Sequence, residues 1–275
     1  MPTQFLKMSV KSEVIMDKKR IVVKVGTSTL THSTGRLNIR KVEKLVKTLA
    51  DLQNAGNEIL LVSSGAIGLG MSKLGLSKRP TDTPMKQACA AVGQCELMYM
   101  YDKLFSEYSL TVAQVLLTKY VLLEDRRKNV ENAIESLISS GVIPVINEND
   151  TVAIDELELE VGENDTLAAI IACVAKADLL VLLSDIDGLY DSDPHKNSDA
   201  KLIRVVDEIT EEIEHFASGA GSALGTGGMK TKINAAKMVN EAGIDMIIMN
   251  GADPYDLYDL LEENHKGTTF KANRS

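Results

Sequence analysis

The 275-residue sequence predicts an α/β fold, a three-layer αβα sandwich built on a mostly parallel central sheet. Short apolar runs recur at Ile21 to Val25, Val142 to Ile146 and Asp178 to Leu183, as suits strands covered on both faces. Helical patterns separate these runs, and repeated strand-helix units pack as parallel strands with helices on both sides. No linker or change of composition divides the chain, so residues 17–275 are expected to form a single domain with two lobes. Residues 1–16 mix Lys7, Lys11 and Glu13 with isolated apolar residues, lack the apolar core of a signal peptide, and read as a flexible extension.

The elements follow in order. Ile21 to Val25 is expected as a central strand. From Asn38, a natural N-cap, Val42, Leu45, Val46, Leu49 and Leu52 recur at helical spacing until Gly56 ends the helix. Glu58 to Val62 reads as the second strand. A long helix follows Pro84 as far as Tyr108, interrupted in composition only by Gly93, and Leu110 to Leu117 is the next strand. Val130, Ile134, Leu137 and Ile138 share a helix face that stops at Gly141, before the strand Val142 to Ile146. Val152 to Val161 alternates apolar and acidic residues, the pattern of a solvent-facing hairpin. Asn164 to Lys176 reads as an apolar helix, with Asn164 or Asp165 as its N-cap. Asp178 to Leu183 is a buried strand, and the loop 184–199 is rich in turn-forming residues. A last helix runs from Met229 to Gly243, and Asp245 to Met249 is the last clear strand.

Composition narrows the function. A net charge of −9 and a pI near 5.1 argue against a general nucleic-acid surface, so any anionic ligand must be captured locally. No run is long enough to span a bilayer. Cys89, Cys95 and Cys173 form no C-x-x-C pair and read as small buried hydrophobes in a reducing, cytoplasmic setting. His32, His195, His215 and His265 match no metal spacing and are expected at the surface.

Within this frame, polar groups collect where strands end. Lys24 closes a buried strand just before Gly26, where loops of open sheets converge on ligands. A lysine there is costly unless it meets an anion or snorkels to water. Gly26 and the run Ser63-Ser64-Gly65 can offer backbone N–H groups to phosphate oxygens. The run from Gly225 to Lys232 precedes a helix and combines glycine amides, two lysines and a positive dipole end. It is not a Walker A loop, and protein-kinase signatures are missing. Ser64 lacks the G-x-S-x-G elbow of a hydrolase nucleophile. The runs ending in Asp150 and Asp165 could form turns, or could read the amino and carboxylate groups of an amino acid.

Taken jointly, Val-Lys-Val-Gly-Thr-Ser at 23–28, Ser-Ser-Gly-Ala-Ile at 63–67, Ala-Val-Gly-Gln at 91–94, Val-Ile-Asn-Glu-Asn-Asp at 145–150, Gly-Leu-Tyr at 188–190 and Gly-Thr-Gly-Gly-Met at 225–229 resemble the amino acid kinase family, and within it the branch that phosphorylates L-glutamate in proline biosynthesis. That resemblance implies MgATP (ATP with Mg2+) and L-glutamate as substrates. It also implies Lys24, Asp165 and Lys232 as catalytic residues, with Asp165 orienting both lysines, and Ser64, Asp150 and Asn164 as glutamate contacts. Ser184, Asp185, Thr226, Gly227, Gly228, Met229, Lys230, Thr231 and Lys232 are implied as nucleotide contacts, beside Lys24, Gly26 and Gly65. Ser184 and Glu163 stand where the family more often has Thr and Asp, keeping the hydroxyl and the charge. Feedback inhibition by proline and a homo-oligomer are implied as well, with no nucleic-acid or membrane partner. A PUA domain, found at the C-terminus of many bacterial members, is not expected in these residues. The alternatives are a sibling kinase acting on acetylglutamate, carbamate, aspartate or UMP, or a noncatalytic amino-acid sensor on the same fold.

Overall fold

The computed structural model describes residues 18–32, 34–118, 124–152, 164–194, 196–219, 228–261 and 265–274. The N-terminal extension, nearly all of the hairpin expected from Val152 to Val161, and residues Gly225, Thr226 and Gly227 lie outside the described residues. Among the described residues eight strands form one sheet: β1 (Arg20–Val25), β2 (Glu58–Ser63), β3 (Val112–Leu117), β4 (Ile143–Glu148), β5 (Leu179–Ser184), β6 (Val205–Val206), β7 (Asp245–Asn250) and β8 (Gly267–Phe270). Their spatial order is β3-β4-β2-β1-β5-β7-β8-β6. From β3 to β7 every pairing is parallel, while β8 runs antiparallel to β7 and β6 runs parallel to β8.

The pleat of β1 divides the core. Ile21, Val23 and Val25 face one layer, with α2 (Ile39–Asn54), α4 (Thr83–Ser106) and the 3-10 helix Pro254–Leu261. Val22 faces the other, shared with α5 (Glu124–Ser139), α6 (Asn164–Val174), α7 (Glu211–Gly219) and α8 (Met229–Glu241). The four apolar residues of β1 are fully buried, each contributing about 1.5–3 kcal/mol of transfer free energy. Lys24 shares the parity of Val22, so the side-chain period of two aims it at the α6 and α8 layer. Its register partners are Val62 on β2 and Leu182 on β5, which sets it at the carboxyl end of the central strands. β2 lies on one side of β1 and β5, reached after β4, lies on the other, so the chain switches direction across the sheet at this edge.

Several local readings differ from the sequence expectation for identifiable reasons. The long helix begins at Thr83, because the Asp82 side chain accepts from the Met85 N–H and Pro84 fits the first turn. Gly93 does not weaken that helix but lets it pass against α3 (Ala66–Lys73): a Cβ on Gly93 would stand 1.7 Å from the Ala66 carbonyl oxygen, and one on Gly70 would stand 1.8 Å from that of Cys89. β6 has two residues and β8 four, too short for periodicity to reveal, and both follow what the sequence presented as loop or tail. Cys89 is buried, but Cys95 is exposed and Cys173 half-buried, so only the first fits the expectation of a small buried hydrophobe. His265, expected at the surface, is half-buried with Nε2 2.7 Å from Thr269 Oγ1. Among the described residues no helix is long and apolar enough to cross a membrane.

Candidate active site

The polar residues at the carboxyl edge of the sheet fall into two joined groups. In the first, Asp165, in the opening turn of α6, is 1% exposed and stands between two lysines. Its Oδ1 lies 2.6 Å from Lys24 Nζ, from β1, and its Oδ2 accepts from Lys232 Nζ, on α8, at 2.9 Å. Thr231 Oγ1 approaches the same Oδ2 at 3.5 Å and donates to the Gly228 carbonyl at 2.8 Å. Burial alone would push the Asp165 carboxyl up, yet the charges and hydrogen bonds of Lys24 and Lys232 hold it below the usual carboxylate range. Three charged groups in a nearly dry corner therefore carry a net charge of +1, suited to a strongly anionic ligand.

The second group is made of amides. Asn164 donates from Nδ2 to Ser64 Oγ at 2.7 Å, to the Ser63 carbonyl at 3.1 Å and to Asn147 Oδ1 at 3.1 Å. Asn147 donates onward to Gln94 Oε1 at 2.9 Å, and Gln94 to Gln114 Oε1 at 3.2 Å. The two leading side chains of α6 thus both reach other elements, the Asn164 amide nitrogen toward β2 and β4 and the Asp165 carboxylate toward β1 and α8. Ser63 Oγ, one residue from Ser64, is 2.9 Å from the hydroxyl of the fully buried Tyr101, whose own ionisation burial pushes far up.

Beside the amides opens a cavity of about 460 Å³, lined among others by Ala66, Gln94, Gln114, Glu148, Asn149 and Asp150. Burial pushes the Asp150 carboxyl above its ordinary range, with Arg79 partly opposing. Asp150 stands on the cavity wall, while Asn164 and Asp165, adjacent in sequence, tie the amide and lysine groups together. Gly65 takes φ +102° ahead of α3, a conformation that favours glycine and turns the chain out of β2.

The remaining expected residues sit around the lysines. Ser184 ends β5 and donates to Asp185 Oδ1 at 3.1 Å, with Ser184 buried and Asp185 exposed. Gly228 is the N-cap of the 13-residue α8, Met229 is buried and Lys230 exposed. Gly26 precedes the short helix α1 (Thr27–Leu30), and a Cβ there would meet Lys24 Nζ at 3.7 Å, ordinary contact, so space alone does not demand glycine. Sequence reasoning did not single out Asn147, Gln94 or Gln114. Asn147 and Gln94 lay inside quoted motifs, but nothing in their spacing announced a hydrogen-bonded chain.

Comparison with known proteins now adds to this geometry. The model of the amino acid kinase family matches residues 19–250. The chain is 53% identical to a glutamate 5-kinase of Clostridium perfringens over 95% of this chain and 98% of that one, and 52% identical to one of Clostridium tetani over 95% and 98%. Among solved structures, carbamate kinase from Giardia lamblia bound to AMP-PNP superposes with a TM-score of 0.68 at 16% identity, covering 94% of this chain and 99% of that one, a likeness of fold. A parallel sheet edge that gathers two lysines around one aspartate, in a chain whose match to the family runs through all three of those residues, makes this protein a member of the amino acid kinase family.

Proposed function

We propose that this chain transfers the γ-phosphoryl group of MgATP to the side-chain carboxylate of L-glutamate, giving glutamyl 5-phosphate and ADP, the first step of proline biosynthesis. The observation that carries this reading is the 53% identity, over 95% of the chain, to a protein named as a glutamate 5-kinase. The site supports it chemically. A glutamate side chain with a pKa of about 4.3 is ionised near neutrality, so the acceptor needs no general base. The obstacle is charge: two unit anions about 3.5 Å apart repel by roughly 5 kcal/mol at an effective dielectric of about 20, or between three and four orders of magnitude in rate.

Lys24 and Lys232 are the groups suited to neutralise that charge, and Asp165 lies against both ammonium groups, 2.6 Å and 2.9 Å away. Lys24 would face the transferring phosphoryl group and Lys232 the nucleotide side, where the N-terminus of α8 adds partial positive charge. Ser184 and Asp185 at the end of β5, together with the segment 226–232, would hold the nucleotide. Ser64, Asn164 and Asp150 would hold glutamate, with the cavity beside them able to take an amino acid. Among the described residues no group of three or more His, Cys, Asp or Glu side chains could hold a metal. Magnesium, an ion usually bound through one or two carboxylates and substrate phosphates, would arrive with the triphosphate and lower its charge. Residues 17–275 would act as a single domain in the cytoplasm, and proline inhibition and a homo-oligomer extend to this chain on the resemblance alone.

The test is to incubate the purified protein with MgATP and hydroxylamine, offering L-glutamate, N-acetylglutamate or aspartate separately, and to measure trapped hydroxamate. Signal with L-glutamate alone is the expected result. Signal only with another acid reassigns the acceptor within the family, and no signal with any of them overturns the reading.

A further inference from the structure

Gln94 belongs to neither the lysine group nor the residues assigned to glutamate, yet it is 8% exposed and hydrogen-bonded on both sides. Its amide is the middle of a chain in which every donor points the same way: Asn164 to Asn147, Asn147 to Gln94, Gln94 to Gln114. The direction is fixed at one end, where Asn164 Nδ2 faces three oxygens, of Ser63, Ser64 and Asn147; a flipped Asn164 would set its own oxygen against two carbonyls that cannot donate. Asn147 Oδ1 also accepts from the Glu148 N–H at 2.9 Å, which fixes the second amide and obliges its Nδ2 to find an acceptor. Gln94 Oε1 is that acceptor. Because Asn164 donates to Ser64 Oγ, the Ser64 hydroxyl keeps its hydrogen for another partner.

α4 can place a glutamine here only because the neighbouring Gly93 lies against the first turn of α3, which begins just after Ser64 and Gly65. Packing alone would be better served by an apolar side chain, since a buried amide gains little net free energy and costs much if unpaired. We infer that Gln94 is a positioning residue for the acceptor site: it locks Asn147, and through it Asn164 and Ser64, in the orientation that receives the amino-acid substrate. This rests on the glutamate reading above.

The experiment measures steady-state kinetics of wild type and Gln94→Met, which keeps the length of the side chain and removes both hydrogen bonds. The expected result is a rise of about fivefold to tenfold in KM for L-glutamate, with kcat and KM for ATP within twofold of wild type. A glutamate KM within twofold overturns the inference, as does a fall in kcat with a parallel rise in both KM values and a lowered Tm, the signature of a structural role only. If Gln94→Met does not fold, Gln94→Asn, polar but one methylene short of its partners, is held to the same criteria, and failure of both to fold assigns Gln94 to the fold alone. Wild type inactive on L-glutamate sinks the glutamate reading and this inference with it; active wild type with an unchanged variant sinks only the inference.

Discussion

Replacing Asp165 by asparagine separates two views of the lysine group. If charge alone matters, removing a carboxylate raises the local charge from +1 to +2, and ATP should bind tighter with no loss of turnover. If placement matters, the variant loses what holds Lys24 at 2.6 Å and Lys232 at 2.9 Å from one buried residue. Each contact is worth roughly 6 kcal/mol of attraction at an effective dielectric of about 20, most of it offset by desolvation. Removing the shared partner while both ammonium groups stay behind costs about 3–5 kcal/mol. In a chain of this size that corresponds to a fall in Tm of about 10 °C. Turnover should fall by about two to three orders of magnitude, as when a preorganised electrostatic group is lost. MgATP, bringing anionic oxygens to lysines no longer answered by the Asp165 carboxylate, should raise the Tm of Asp165→Asn more than that of wild type. Differential scanning fluorimetry with and without MgATP, beside hydroxamate kinetics, reads all three quantities. A kcat within threefold of wild type, or an unchanged Tm, would refute the placement argument.

The remaining predictions concern acid, the two lysines, the cavity wall and the helix crossing. The folded pKa of Asp165 is depressed, so its stabilising contribution is complete above the unfolded value of about 3.9 and is lost as pH falls through the lower folded value. Denaturant unfolding from about pH 7 to pH 3 should thus show wild type losing more stability than Asp165→Asn, and equal losses would count against the linkage. Lys24→Ala and Lys232→Ala should each lower kcat by about two to three orders of magnitude, and near-normal turnover in either removes that lysine from catalysis. Asp150→Ala should raise KM for glutamate by about tenfold to a hundredfold, the worth of a hydrogen bond to a charged group, while KM for ATP stays put. Gly93→Ala puts a methyl group 1.7 Å from the Ala66 carbonyl oxygen and 2.5 Å from the Gly70 nitrogen, so it should cost about 3 kcal/mol or more, seen as a Tm drop of several degrees.

Much of the fold was legible because it follows from local rules. Val22 and its neighbours are buried on both faces, so β1 is a continuous apolar run; Asn38 accepts from the Lys41 N–H at 3.3 Å, so α2 starts where capping chemistry says it should. What escaped was decided by tertiary contact. Thr268 and Thr269 of β8 are buried although nothing apolar marks them, because Thr268 Oγ1 donates to the Ile203 carbonyl at 2.6 Å and accepts from the Leu189 N–H at 2.8 Å. A short strand whose buried threonine is satisfied by backbone groups 65 and 79 residues away has no periodic signature.

The candidate site was legible in the same uneven way, and the reason is physical. A lysine at the end of a buried strand is an anomaly in one dimension, because its charge must be answered by something. So Lys24 declared itself, although its answer, Asp165, could be named only through the resemblance. Lys232 was harder, since a lysine in a helix normally faces water; here it is 6% exposed and donates to Asp165, 67 residues away in sequence. Amides are harder still. Neutral Asn and Gln cost less to leave in water or at a turn than a charge costs to bury, so Gln94 in a long helix and Asn147 at a strand end raise no alarm when read singly. Their meaning lies in direction, each oxygen receiving what the previous nitrogen gives, and direction arises only when β4, α4 and α6 converge. The charges that would do the chemistry were therefore easier to read than the neutral groups that would aim the substrate at them, and it is among such neutral, fully paired side chains that unrecognised determinants of substrate choice should be sought.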